Sequence, residues 1–297
     1  MSDTNTLKLD TQFDLSKFSK YSQIRVPLIG VVAEEMLLPL PEELPADETY
    51  VETPYTLSCE NFVLNSRVNK RATLLVGAPG IGKTCFVKHY IHKYNAECYY
   101  ANKNFLELGY FPGVQKLELG PIAASFLRNS QSNGEPRQVV LFIDDVHFYP
   151  RSFFYDFKSA VDPEVRRFTF GNLSIDLVDQ VQIIMTANNT HTMDEAFLNC
   201  VDILHFQDNT TDEIFSFIEK KHKERIGILA ELQILFTKIW NELISRPAKA
   251  REVVNLFNRT LNKRFSGNKE LKENFEEELR TYATVLKQKE ENGNDNQ

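Results

Sequence analysis

The sequence predicts an α/β fold in which a parallel sheet is covered by helices on both faces and is followed by a purely helical part. Three short apolar runs, at 73–76, 138–144 and 181–187, have the length and composition of buried parallel strands. Helical patterns alternate with these runs, as is typical of β–α–β units. From residue 208 onward only helical periodicity remains.

These patterns divide the 297 residues into four predicted parts. Residues 1–48 form a leader without clear periodicity, which ends in a proline- and acid-rich linker or strap. The α/β core covers 49–207, and a helical lid covers 208–287, beginning with the polar cap at Thr211. The charged, asparagine-rich residues 288–297 are predicted to be disordered. Within the lid, apolar residues recur at helical spacing over 211–218, 229–240, 251–265 and 271–286.

Composition argues against several classes of protein. The net charge of −7 provides no general attraction to nucleic acid or to anionic membranes. Four cysteines without C-x-x-C spacing suggest neither a zinc site nor a disulfide framework. The N-terminus lacks a secretion signal, and the apolar stretch at 26–40 is too short and too charged to span a bilayer. We expect a cytoplasmic protein, or a nuclear one, without membrane partners.

A complete phosphate-binding loop of the pattern G-x-x-x-x-G-K-[ST] follows the first predicted strand. Its glycines allow backbone N–H groups to turn inward and cradle phosphate oxygens. Lys83 is expected to reach the β- and γ-phosphates, and the Thr84 hydroxyl is expected to bind Mg²⁺. The helix predicted at 85–91 points its N-terminal dipole at the same phosphates. The sequence therefore predicts a nucleoside triphosphate site built from Gly77, Ala78, Pro79, Gly80, Ile81, Gly82, Lys83, Thr84 and Cys85.

Two adjacent carboxylates end the second predicted strand. Asp144 is expected to hold Mg²⁺ through water, and Asp145 to polarise the water that attacks the γ-phosphate. A strand that simply ends in a polar turn is the alternative interpretation. The phosphate loop upstream favours the catalytic one.

Two further polar residues fit a contact with the γ-phosphate. Asn188 ends the third predicted strand, where its amide could bridge the phosphate and the attacking water. Because asparagine after a strand is usually a turn residue, the order of the motifs supports this role more than the residue type does. Arg251 begins an amphipathic helix, where its charge opposes the helix dipole unless it has a partner. A phosphate would be such a partner, and a solvated surface arginine is the alternative.

In this order, the motifs between residues 49 and 286 resemble those of AAA+ ATPases. The resemblance implies a P-loop NTPase sheet with a C-terminal helical lid, ATP and Mg²⁺ as ligands, and other AAA+ subunits as partners. It also implies that Asp145, Lys83, Asn188 and Arg251 carry hydrolysis.

A predicted hairpin gives a finer resemblance. Residues 168–170 and 173–175 flank the turn signal Gly171-Asn172 just before the third strand. A hairpin at this place is similar to the AAA+ branch that contains dynein motors and superfamily 3 helicases. Within that branch the third AAA+ module of dynein heavy chains is the most similar, on the stretches 50–56, 74–77 and 142–145, the last followed by Pro150.

The sequence departs from the AAA+ pattern at two places. Most related ATPases have glutamate where this chain has Asp145, and the shorter side chain is expected to slow turnover. The arginine that AAA+ subunits offer to a neighbour's phosphate is absent from 197–201. By position alone, Arg151, Arg166 and Arg167 are the substitutes.

Three functions stay open at this stage. The first is a dynein-like module that hydrolyses Mg·ATP to drive conformational change in a larger assembly. The second is a nucleic-acid remodeller of the helicase or replication-initiator type, in which the hairpin and its arginines touch phosphates, although the acidity of the chain weighs against it. The third is a weakly hydrolysing nucleotide-binding scaffold, which Asp145 and the missing arginine favour.

Overall fold

The computed structural model describes residues 21–28, 31–45, 50–101, 109–110, 117–118, 120–130, 138–170, 173–177, 181–222, 228–244, 246–263 and 267–294. Its strands are β1 (Tyr21–Leu28), β2 (Val31–Pro39), β3 (Ala72–Val76), β4 (Glu97–Ala101), β5 (Gly109–Tyr110), β6 (Leu117–Glu118), β7 (Val139–Ile143), β8 (Arg167–Phe170), β9 (Leu173–Asp176), β10 (Val181–Ala187) and β11 (Val201–His205). Its α-helices are α1 (Pro54–Val68), α2 (Lys83–Lys93), α3 (Pro121–Ser130), α4 (Arg151–Val161), α5 (Glu195–Leu198), α6 (Thr211–His222), α7 (Leu229–Leu243), α8 (Ala250–Asn262) and α9 (Asn268–Asn294).

The central sheet contains five strands in the order β11-β3-β10-β7-β4, and all of its pairings are parallel. All residues of β3, β7 and β10 are buried, in agreement with their continuous apolar sequences. Strand β10 lies between β3 and β7 and bonds to both. Because the strands are parallel, the residues that follow Val76, Ile143 and Ala187 emerge at the same edge of the sheet.

Helices cover both faces of this sheet. On one face, α3, α4 and α5 contribute Phe126, Phe153 and Phe197 to a large apolar cluster. On the other face, α1 and α2 contribute Val63 and Phe86 to a second cluster. The strands supply both clusters, because successive side chains of a strand point to opposite faces. The predicted α/β core is therefore confirmed.

The described part of the leader is more regular than the sequence predicts. Strands β1 and β2 form an antiparallel hairpin, which belongs to a small sheet of order β1-β2-β6-β5. Alternation of Ile24 and Val26 with the polar Gln23 and Arg25 is typical of a strand and accounts for the middle of β1. After the hairpin, the Glu42 backbone N–H donates to the Cys98 carbonyl at 2.7 Å, so this segment straps the outer edge of β4.

The predicted hairpin before β10 is formed by β8 and β9, which pair antiparallel with Phe168 opposite Ile175. Its turn at 171–172 lies outside the described residues. Phe168 and Ile175 are buried in the same cluster as α3 and α4, and the Phe168 ring centroid lies 5.3 Å from that of Phe126. One face of the hairpin is thus part of the core.

The lid has an apolar core of its own. Helices α6, α7, α8 and α9 bury one continuous cluster that includes Phe215, Leu232, Phe236, Trp240, Leu256, Phe257, Phe275 and Leu279. Helix α9 continues to Asn294, so residues 288–294 are helical where the sequence predicts disorder. The reason is that Lys, Gln and Glu are good helix formers, and they extend a helix already stabilised by packing. None of the described helices is long and apolar enough to cross a bilayer.

Candidate active site

The phosphate loop connects β3 to α2, and its glycines are required by geometry. Gly82, immediately before α2, has a φ of 106°, a left-handed conformation that side-chain-bearing residues rarely adopt. At Gly77 an added Cβ would lie 2.6 Å from the Phe206 carbonyl oxygen, which is closer than van der Waals contact permits. The loop is thus closely packed against the residue that follows β11.

The Lys83 ammonium lies inside the loop and is buried. Its Nζ donates to the carbonyl oxygens of Gly77 at 2.6 Å and Ala78 at 3.0 Å, and to Oδ1 of Asn188 at 3.1 Å. Burial lowers the pKa of Lys83, whereas the negative charges of Asp145 and Asp144 partly oppose this shift. The three acceptors are neutral, so an anionic ligand would compete well for this cation.

The Asp144 carboxylate is surrounded by three hydroxyl groups. Thr84 Oγ1 lies 3.1 Å from Oδ1, Tyr100 Oη lies 3.2 Å from Oδ2, and Thr186 Oγ1 also bonds to Oδ1. Burial and the Asp144 charge both raise the pKa of Tyr100, which stays a hydrogen-bond donor. Thr186 and Tyr100 were not predicted to belong to the site, although each is a polar residue near the carboxyl end of an apolar strand.

Asp145 follows Asp144 in a left-handed conformation, with φ of 53°. Its backbone N–H donates to Thr186 Oγ1 at 2.9 Å, which fixes this turn to strand β10. Its side chain is 49% exposed and lines the cavity in front of the loop. The position suits a group that must meet a water molecule.

Asn188 connects Lys83 to His147, which was not predicted to belong to the site. Asn188 Nδ2 lies 3.1 Å from Nε2 of His147, and the Asn188 backbone N lies 3.3 Å from its Nδ1. The same Nδ1 lies 4.0 Å from Oδ1 of Asp145. His147 is buried, and the only sequence signal for it is its place two residues after Asp145.

Arg251 reaches the loop from the lid. A Cβ built on Gly80 would have Arg251 atoms as its three nearest neighbours, at 3.4–3.8 Å. Helix α8 is held in place by Glu252, whose carboxylate accepts from Arg246 at 2.7 and 3.0 Å. The Arg246 carbonyl in turn accepts from Trp240 Nε1 at 2.8 Å, so the lid core supports this turn.

A cavity of about 370 Å³ lies between the core and the lid, within the usual size range of ligand pockets. Its polar lining includes Lys83, Asp145, Asn188 and Arg251. Its lining also includes aromatic and aliphatic side chains, namely Tyr50, Phe206, Phe217 and Val254. All four predicted catalytic residues therefore meet at one place, together with the phosphate loop.

The residues present also fit Mg²⁺. Thr84 and Asp144 offer a hydroxyl and a carboxylate oxygen within 3.1 Å of each other, and Mg²⁺ prefers oxygen ligands. No group of three or more His, Cys, Asp or Glu residues that could hold a metal occurs in the described part of the chain. Mg²⁺ commonly takes one or two protein oxygens together with water and substrate phosphates.

Two of the three substitute arginines, Arg166 and Arg167, make contacts within the chain. Arg166 donates to the carbonyl oxygens of Lys70 at 2.6 Å and Val181 at 3.1 Å, and Val181 begins β10 at the edge of the sheet away from the site. Arg167 pairs with Asp176 across the hairpin at 2.6 Å. Arg151 begins α4 and is exposed.

Comparisons with known proteins agree with this architecture. Residues 38–154 match the family model of the P-loop containing dynein motor region. Caenorhabditis elegans PCH-2 is similar in structure, with a TM-score of 0.54 at 14% identity over 83% of this chain and 75% of that chain. A point mutant of Thermotoga maritima RuvB gives a TM-score of 0.52 at 14% identity, over 76% of this chain and 70% of that chain. No protein of curated function matches the sequence. The chain thus has the AAA+ fold, and over residues 38–154 it is similar to the P-loop containing dynein motor region.

Proposed function

We propose that this protein is an ATPase that binds Mg·ATP between the α/β core and the lid and hydrolyses it. The observation that carries the proposal is the meeting of Lys83, Asp145, Asn188 and Arg251 around one cavity. Two cations, one carboxylate and one amide come here from four separate segments, and charged groups are costly to bring together unless a charged ligand interacts with them.

The chemistry follows from these side chains. Lys83 and Arg251 oppose the negative charge of the phosphates, and the turned loop offers its backbone N–H groups. Thr84 and Asp144 would hold Mg²⁺, which would further neutralise charge on the phosphate oxygens. The oxygen of the attacking water bonds to the γ-phosphorus, and Asp145 accepts a proton from that water. The bond between the γ-phosphorus and the oxygen that leaves with ADP breaks. Asn188 orients that water.

We further propose that turnover by the isolated chain is slow. Asp145 is shorter by one methylene than the glutamate of most AAA+ ATPases, and 197–201 contain no arginine for a neighbouring site. An arginine supplied in trans can contribute about 10³–10⁵ to the rate of related reactions. Full activity would then require a different AAA+ partner, in an assembly that uses ATP to change conformation. The match to the dynein motor region supports a dynein-like role.

Among the alternatives, a nucleic-acid remodeller receives no support from the hairpin. Arg166 and Arg167 bind carbonyl and carboxylate groups of the chain itself, and Phe168 faces the core. The weakly hydrolysing scaffold differs from our proposal only in rate. Turnover measured with and without partner subunits would separate the two.

The first test measures binding of a fluorescent ATP analogue and release of phosphate by the wild-type chain and by Lys83→Ala. We expect Lys83→Ala to weaken ATP binding by about 100-fold or more, because it removes a cation that contacts two phosphates. Lys88→Ala, five residues further along α2, is the matched control and should bind as the wild type does. Equal ATP affinity of Lys83→Ala and wild type would refute the site.

A further inference from the structure

We propose that His147 relays the presence of the γ-phosphate from Asn188 to Asp145 through a change of imidazole tautomer. The inference rests on the proposed ATPase function and names a positioning residue for that site. Its starting point is a continuous polar chain in the described structure. Lys83 Nζ, Asn188 Oδ1, Asn188 Nδ2, His147 Nε2 and His147 Nδ1 follow one another, with contacts of 3.1 Å at both links, and Asp145 Oδ1 lies 4.0 Å beyond.

Hydrogen-bond chemistry assigns the proton in this arrangement. The Lys83 ammonium can only donate, so the amide of Asn188 must present its oxygen to Lys83. The NH₂ group of Asn188 then faces Nε2 of His147, which must accept. A neutral imidazole has one acceptor nitrogen and one N–H, so the proton of His147 is on Nδ1. That N–H lies on the side of the Asp145 carboxylate.

The first arrangement leaves the Asn188 backbone N–H facing the Nδ1 proton. A second arrangement removes that conflict but turns the Asn188 NH₂ group toward the Lys83 ammonium. The Asn188 backbone N–H lies 3.3 Å from Nδ1, and Nδ1 can accept it only when its own proton is absent. The proton is then on Nε2, and the Asn188 amide must rotate to present its oxygen to His147. Asn188 Oδ1 therefore accepts from Lys83 Nζ in the first arrangement and from His147 Nε2–H in the second. His147 loses the Nδ1 proton to water and takes up a proton from water at Nε2, so the imidazole stays neutral.

A triphosphate favours the second arrangement for two reasons. A phosphate draws Lys83 away from Asn188, and a γ-phosphate oxygen or the attacking water accepts from the rotated NH₂ group. ADP supplies only the first of these effects. In the first arrangement the Nδ1 proton attracts the Asp145 carboxylate, whereas in the second it no longer does so. Asp145 is thus released to accept a proton when the substrate is complete.

The surroundings of His147 restrict the change to the proton and the amide. The ring is buried and lies 4.1 Å from the Phe148 ring, between centroids. The His147 carbonyl accepts from Thr192 Oγ1 at 3.2 Å, which fixes the backbone. Asn188 directly follows the central strand β10, whose backbone is held on both sides by β3 and β7.

The direct test is ¹⁵N NMR of the imidazole nitrogens in the full chain, which has six histidines. The His147 signals are assigned from their loss in His147→Phe. Spectra are recorded without nucleotide, with Mg·ADP, and with a non-hydrolysable ATP analogue and Mg²⁺. We expect the Nδ1–H tautomer in the first two samples and the Nε2–H tautomer in the third. Binding of the ATP analogue is measured in the same titration from the change in an NMR signal of the analogue itself.

Kinetics provide the second test. His147→Phe should keep ATP affinity within about twofold. It should lower kcat about tenfold, which corresponds to about 1.4 kcal/mol, because Asn188 loses the Nε2–H that turns its NH₂ group toward the γ-phosphate and the attacking water. Asn188→Ala combined with His147→Phe should be no slower than Asn188→Ala alone, because coupled residues are not additive. His191→Phe, an exposed histidine in the loop after β10, is the matched control and should turn over as the wild type does.

The outcomes separate the relay from the proposed function. A bound analogue that leaves the tautomer unchanged overturns the relay and leaves the ATP site intact. An Nε2–H tautomer in the nucleotide-free chain also overturns the relay, whatever binds. Absence of nucleotide binding refutes the proposed function first and the relay with it. If His147→Phe fails to fold, the assignment is made with His147→Gln, and the wild-type spectra decide.

Discussion

Replacing Phe168 with alanine tests whether the β8–β9 hairpin is a structural element or a working surface. Phe168 is 3% exposed and lies between the rings of Phe126 and Phe157, with centroid distances of 5.3 and 6.3 Å. A hairpin that touched nucleic acid through its aromatic residues would present this ring to solvent. The structure instead predicts a loss of stability on truncation.

The magnitude follows from the burial of the ring. Truncating a buried phenylalanine to alanine costs about 3–5 kcal/mol, because apolar contacts are lost and a cavity remains. The two neighbouring rings place Phe168 toward the upper part of that range, since aromatic pairs add about 0.5–1.5 kcal/mol to area burial. We therefore expect the free energy of unfolding to fall by about 4 kcal/mol, a large share of the usual 5–15 kcal/mol.

Urea unfolding followed by far-ultraviolet circular dichroism measures this change. Circular dichroism is preferred because the single tryptophan, Trp240, lies in the lid and reports on that part. Thr169→Ala is the control, because Thr169 is the next residue of β8 and is exposed. It should change stability by less than about 0.5 kcal/mol. A loss below about 1 kcal/mol for Phe168→Ala would refute the reasoning and reopen a surface role for the hairpin.

Three further predictions concern the site, the lid and alkaline pH. Asp145→Asn should bind ATP within about twofold of wild type and release phosphate about 100-fold more slowly, because the base is lost and the shape is kept; phosphate release at the wild-type rate would show that Asp145 is not the base. Glu252→Gln should weaken the hold of Arg246 and destabilise the lid by about 1–3 kcal/mol, measured by Trp240 fluorescence in urea; an unchanged transition would contradict the anchoring role. The Tyr149 hydroxyl has no hydrogen-bond partner among the described residues, and burial raises the pKa of Tyr149 to about 12. The unfolded phenol ionises near pH 10 and the folded one near 12, so the unfolded state binds fewer protons and stability falls as pH rises between these values. Tyr149→Phe should reduce that fall without loss of stability at pH 7, and an unchanged slope of stability against pH would contradict the assignment.

The sequence predicted β3, β7 and β10, three of the five strands of the central sheet, because buried parallel strands form continuous apolar runs bounded by polar turns. It did not predict the β1–β2 hairpin, where Glu34, Glu35 and Pro39 interrupt the apolar pattern. It also did not predict that α9 extends to Asn294, because a lysine- and glutamate-rich segment has the composition of a disordered tail and of an exposed helix alike.

The phosphate loop and Asp144 could be recognised because their chemistry requires a fixed local spacing. Thr186, Tyr100 and His147 could not be recognised in this way, because their role in the site depends on which strands are neighbours in the sheet. The placement of β10 beside both β3 and β7 brings Thr186 to Asp144 and Asn188 to Lys83. No local pattern encodes that order of strands.

The length of α9 has a mechanical consequence. Its 27 residues span about 40 Å at 1.5 Å per residue, and it packs on α7 and α8, the helix that carries Arg251. Any tilt of the lid that accompanies movement of Arg251 is therefore magnified along this rod. A tilt of about 10° around one end displaces the other end by about 7 Å, which is more than one helical turn. A movement of Arg251 at the phosphate loop that is too small to disturb the sheet would therefore move the far end of α9, and any molecule bound there, by several ångströms.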